Sequence, residues 1–156
     1  MHDNFRQFAE QFHPKLELLL NQKPCTSIAF PKEMPQAGIY LFSEGDKHLY
    51  IGRTDNMRRR LKLHCRPSSQ HNQATFAFRL TREITGNLKA TYKSGDGSRT
   101  ALVQDPLFLQ NFIEQKRRIS LMDIRFVEEI NPTSQALLEI YASVVLKTPY
   151  NDFNNH

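Results

Sequence analysis

The sequence predicts an α+β fold, a small three-stranded antiparallel sheet flanked by helices. Three observations carry that reading. Gly38–Phe42 and His48–Gly52 are β-like runs on either side of the turn residues Ser43-Glu44-Gly45-Asp46-Lys47, which describes a hairpin. Met122, Ile124 and Phe126 alternate with Asp123, Arg125 and Val127, the period of a third strand. Apolar residues at helical spacing lie near both ends of the chain, from Phe5 to Leu20 and from Ala136 to Leu146.

The elements follow in chain order. Phe5, Phe8, Phe12, Leu16, Leu19 and Leu20 share a helical stripe that Pro14 interrupts, so two short helices are expected there. Pro24, Pro31 and Pro35 make residues 23–37 an extended lead-in. A hairpin loop centred on Gly45 sets Tyr40 opposite Tyr50, with Gly38 and Gly52 leaving space beside them. Ile39, Leu41, Leu49 and Ile51 then share the face that enters a core. Thr54 or Asp55 is suited to cap a helix over Asn56–Cys65, stopped before Pro67. A further helix is expected near Asn72–Thr85, and Gly86, Gly95 and Gly97 predict a mobile loop over 86–100. Gln104–Arg118 is helical, and Asn131-Pro132-Thr133-Ser134 opens a last helix of about three turns.

Composition narrows the class. The chain has 156 residues, 39% hydrophobic and 24% charged, enough for one globular core. No apolar run approaches a bilayer span, and the first residues lack a signal-peptide pattern. Cys25 and Cys65 allow one bridge at most, which favours a reduced, cytoplasmic protein. A net charge of +5 and a pI near 9.4 favour an anionic partner.

Two features carry chemistry. Arg53, Arg58, Arg59, Arg60, Lys62 and Arg66 are accompanied by one nearby acid, Asp55. Such a cluster is either a solvated face or a surface whose mutual repulsion a polyanion relieves. Arg60 and His64 are four apart and share a helix face. The second feature is Glu139, the only charge in "ALLEIYASVVL". An acid among apolar neighbours needs a partner such as a divalent cation, or else sits near a helix N-terminus that favours it. Glu114-Gln115-Lys116 reads as surface charge. Neither His71-Asn72 nor Asn155-His156 has the surroundings of an HNH site, and Cys65 beside His64 lacks zinc-ligand spacing.

The triplets Gly38-Ile39-Tyr40 and Tyr50-Ile51-Gly52, with Arg60, Glu139 and Asn151 in order behind them, resemble the GIY-YIG endonucleases. The resemblance implies one nuclease domain over 1–156. Its core is 36–66 and 121–152, with a helical N-terminal extension over 1–35 and an insertion over 67–120. It implies Tyr40 as general base, Tyr50 as a group that orients the phosphate, and Arg60 as the phosphate ligand. Glu139 would be the ligand of a Mg²⁺ that Mn²⁺ can replace, and Asn151 a buttress. His64 resembles the histidine of the restriction and homing branch, where it would take the tyrosine proton or, as a cation, favour the helix end. Arg53, Arg58, Arg59, Lys62 and Arg66 would contact double-stranded DNA, with two chains acting as a homodimer. The expected activity is sequence-specific, restriction-type cleavage. The alternatives are a structure-specific repair or recombination nuclease, or a non-catalytic DNA-binding module on the same fold.

Overall fold

Residues 1–87, 95 and 97–153 are described by the computed structural model. Along the chain run α1 (Asp3–Asn21), β1 (Gly38–Glu44), β2 (Lys47–Thr54), α2 (Met57–Cys65), α3 (Thr75–Thr85), α4 (Arg99–Gln104), α5 (Pro106–Ser120), β3 (Asp123–Glu128) and α6 (Pro132–Leu146). The fold is α+β, with a three-stranded antiparallel sheet flanked by helices, as the sequence predicts. The residues gather into two units. Met1–Arg59 and Met122–Asn151 form the first, and residues 60–121 form the second together with Asp152 and Phe153.

In the first unit the hairpin forms where its turn residues predict, but more tightly. Gly45 and Asp46 alone connect the strands. The register shifts between Phe42 and Ser43, so that Phe42 faces Tyr50 while Ser43 faces His48 and Leu49 is the extra residue of a bulge. Tyr40 therefore faces Gly52 and not Tyr50. A loop centred on Gly45 would have paired the tyrosines; the two-residue turn shifts the pairing by one and the bulge by one more. β1 is the central strand, with β2 on one side and β3 on the other.

Ile39, Leu41 and Ile51 enter the expected core, where they meet Phe12, Leu16 and Leu19 of α1 and Leu138 and Ala142 of α6. That packing explains why α1 is one helix and not two. Phe12 and Leu16 stand on either side of Pro14 in the same cluster, 5% and 2% exposed, and hold the helix continuous across the break. Lys15 donates to Glu129, which also accepts from Ser134 Oγ at 2.8 Å and Asn131 N at 3.1 Å. Burial alone would push the Glu129 carboxyl up; these donors, with Lys15 first among them, bring it below its ordinary value. Asn131 caps α6 by accepting from Ser134 N, with Pro132 in the first turn. The lead-in lies along β3, where Cys25 and Ile124 exchange backbone hydrogen bonds of 2.9 and 2.8 Å.

The second unit is helical. Phe78 of α3 packs against Phe108 and Phe112 of α5, with ring centroids 5.4 and 6.0 Å apart. The helix expected over Gln104–Arg118 is two helices. Asp105 accepts from Leu107 N at 2.9 Å and from Phe108 N, capping α5 and ending α4. Of the loop expected over 86–100, residues 88–94 and 96 lie outside the described residues, Lys89 and Lys93 with them; Arg99 already belongs to α4. Lys116 is 1% exposed, so Glu114-Gln115-Lys116 is not the run of surface charge that its composition suggests.

Candidate active site

Four successive residues of β2 organise the first unit's polar groups. Tyr50 lies beside Tyr40, ring centroids 6.4 Å apart, and Tyr40 meets Phe42 edge-on at 5.8 Å. Ile51 is gripped by Asn151, whose Oδ1 accepts from Ile51 N at 2.8 Å and whose Nδ2 donates to Ile51 O at 2.7 Å. Thr148 Oγ1 donates to the same Oδ1 at 2.8 Å, and Tyr150 N donates to Leu49 O. The side-chain amide thus imitates one residue of a fourth strand.

Gly52 explains the second triplet. A Cβ there would lie 2.2 Å from the Tyr40 hydroxyl oxygen, so the phenol rests directly on the backbone of β2. Gly38 has the matching role on the other side, where a Cβ would come within 2.0 Å of Val127 O on β3. The glycines are therefore sites of close approach, and the tyrosines are packed instead of standing in open space: Tyr40 is 0% and Tyr50 9% exposed.

Arg53 completes the series. Its Nε donates to Glu139 Oε2 at 3.0 Å. Glu139 lies well beyond the first turn of α6, so the helix N-terminus does not account for it. The pair was hidden in the sequence, where the nearest acid to the basic cluster is Asp55.

The basic cluster divides by the work each side chain does. Asn56, and neither Thr54 nor Asp55, caps α2 by accepting from Arg59 N, while Thr54 Oγ1 accepts from Asn56 N. Arg58 donates to Pro31 O at 2.7 Å and Lys32 O at 3.1 Å, so it ties down the lead-in. Arg59, Lys62 and Arg66 are exposed. Arg60 and His64 belong to the second unit. There Arg60 donates to Gln73 O at 3.1 Å and lies 3.4 Å from Thr75 Oγ1, two orienting contacts with no sequence signal. His64 is fully buried; burial first, then the Arg60 charge, pushes its pKa well below the ordinary imidazole value. It is held neutral, which removes the reading as a helix-end cation. Elsewhere in the second unit Arg79 and Arg82 are half-buried and Arg99 is buried, so they add little exposed charge.

Among the described residues no three His, Cys, Asp or Glu side chains gather into a metal cage. A lone carboxylate still suits a cation such as Mg²⁺, which keeps several waters and takes one or two carboxylates plus substrate phosphate. Glu139, with a side chain 18% exposed, fits that role. Among the described residues no helix is long and apolar enough to cross a membrane.

No curated protein and no solved structure matches the chain. The family model of the GIY-YIG catalytic domain matches residues 36–104, taking in both tyrosine triplets and α2 but neither Glu139 nor Asn151. Nucleases of this kind are generally dependent on a divalent metal. Over those residues, less than half of its length, the chain is similar to the GIY-YIG catalytic domain.

Proposed function

We propose that the chain is a metal-dependent endonuclease that cleaves double-stranded DNA at specific sequences, in the manner of a restriction enzyme. The carrying observation is the convergence on β2: the second tyrosine triplet is joined to Asn151 at Ile51 and to Glu139 through Arg53. Residues far apart in sequence, which the resemblance names together, meet on one strand.

Phosphodiester hydrolysis needs a deprotonated water, relief of charge on the phosphate and a proton for the leaving oxygen. A bound Mg²⁺ or Mn²⁺ would supply Lewis acidity toward the phosphate, with Glu139 as its protein ligand. Tyr40 is assigned to the water proton and Tyr50 to orienting the phosphate. Packing of both rings on β2 limits their rotation, so little order is lost when substrate binds. Arg60 is assigned to the scissile phosphate; its bonds to Gln73 and Thr75 limit the rotation of the guanidinium within the second unit. His64 keeps a neutral imidazole, which burial and the Arg60 charge make a weak base. Asn151 fixes the strand that carries Tyr50. Arg59, Lys62 and Arg66 are the exposed cations for DNA backbone contact.

One observation favours a second reading, a DNA-binding module without catalysis: Arg53 already neutralises the Glu139 carboxylate. One experiment separates the two. Initial nicking rates on plasmid DNA with Mg²⁺, and gel-shift affinities without it, are measured for Glu139→Gln and Arg60→Ala, with thermal melts of both. The nuclease reading expects Glu139→Gln to lose about 10²–10³ or more in rate while metal-free binding holds or tightens. Arg60→Ala should lose rate and bind more weakly. A folded Glu139→Gln protein that nicks at the wild-type rate removes the metal assignment, and wild-type protein that binds but never nicks establishes the module.

A further inference from the structure

The second unit contains a pocket unrelated to the tyrosine triplets. It has a volume of about 270 Å³, and its lining includes Val103, Leu109 and Ile113 together with Ser69, His71 and Lys116. Two buried polar atoms at this pocket, Ser69 Oγ and His71 Nδ1, have no hydrogen-bond partner among the described residues. Ser69 as a whole is 4% exposed. Buried hydroxyl and imidazole groups are rarely left in that state, because each lost partner costs stability.

The pocket is also electrically one-sided. Lys116 Nζ, 4.1 Å from the Phe112 ring centroid, donates to Pro67 O and to Ser69 O at 2.8 Å. None of the ion pairs among the described residues involves it. Burial lowers its pKa to about 8, which is the mark of an ammonium lacking a countercharge. The His71 pKa is lowered too, first by burial and then by Arg99, so a further cation acts on the same site. An anion would meet a buried positive field here, together with two unused hydrogen-bonding atoms.

We propose that this pocket binds a small oxyanion, a phosphate or a molecule ending in one, with Ser69 Oγ and His71 Nδ1 as hydrogen-bond donors and Lys116 supplying the countercharge. The neutral imidazole donates from Nδ1 in one of its two tautomers. Val103, Leu109 and Ile113 accommodate an apolar remainder. The phosphate is either free or carried by a nucleotide; the chemistry at Ser69 and His71 is the same.

The test is calorimetric titration of the full chain with sodium phosphate against sodium chloride at matched ionic strength, alongside ¹⁵N spectra of the His71 ring. Saturable phosphate binding, on the order of millimolar, is expected for wild type. Ser69→Ala and His71→Ala should each weaken it about tenfold, with melts confirming that both variants fold. Parallel titrations use thymidine 5′-monophosphate and a duplex with 5′-phosphate ends. A shift of the His71 Nδ1 signal with inorganic phosphate assigns a free oxyanion. A shift only with the mononucleotide or the duplex assigns a nucleotide-borne one. No shift with any of the three, or equal affinity in wild type and both variants, overturns the proposal and leaves ordered water as the occupant. DNA cleavage does not enter these readouts, so the outcome is independent of the nuclease reading.

Discussion

At the scale of single residues, Arg53 is the side chain whose position changes the chemistry most. A guanidinium at 3.0 Å from Glu139 Oε2 engages the carboxylate that would hold a divalent cation. The two must compete, and removing the cheaper competitor should help the cation. Arg53→Met is expected to tighten Mn²⁺ binding about tenfold by calorimetry, the order of a partly exposed charge pair near carboxylate. Unchanged Mn²⁺ affinity would show that the pair does not guard the carboxylate. The sequence contained both residues, but 86 positions apart, and no local periodicity couples them. The burial of His64 was equally hidden. A histidine in the last turn of a basic helix is as compatible with a solvated cation as with a core imidazole, and only tertiary packing decides.

At the scale of elements, β2 depends on one amide. Asn151 satisfies both backbone groups of Ile51, so Asn151→Ala leaves a donor and an acceptor without protein partners. A loss of about 1–3 kcal/mol is expected in denaturant melts, with faster hydrogen exchange at Ile51 N than elsewhere in the strand. Exchange unchanged at Ile51 would mean that the grip is not maintained in solution. α1 offers a separate test. Pro14 lies inside a continuous helix, where it removes one hydrogen bond, and Pro14→Ala should stabilise the protein by about 1–3 kcal/mol. Two helices meeting at Pro14 would show no such gain. Alternation and turn residues made all three strands legible in the sequence, and the apolar face of Ile39, Leu41 and Ile51 was legible as core. The pairing register was not, because a bulge at Phe42/Ser43 adds a residue that no alternation pattern marks. Continuity through Pro14 was missed for a similar reason: local propensity argued for a break, and packing on both sides of it prevailed.

At the scale of the whole molecule, acid should act in two stages. The pKa values of His48, His64 and His71 are all lowered, first by burial and then by Arg125, Arg60 and Arg99 respectively. The unfolded chain takes up protons on these groups near pH 6.5, whereas the folded chain resists them. Stability is therefore lost as pH falls from 6.5 toward the folded values. Glu129 follows at lower pH. Its folded pKa lies below 4.5, so its contribution is complete above 4.5 and is lost as pH falls through the folded value. Melting temperatures should fall between about pH 7 and 5, and again below about pH 4. His64→Phe should flatten the first decline and leave the second. A melting temperature constant across the first interval would contradict neutral burial of the histidines.

A sheet of three strands has two rims, and strand rims are where proteins recruit one another. On one rim the Cys25 backbone has already paired with Ile124; on the other, the Asn151 amide has already paired with Ile51. A strand arriving from a neighbouring molecule would have to evict these internal plugs before it could zip on. Runaway stacking of such sheets into fibrils is thereby discouraged at both rims.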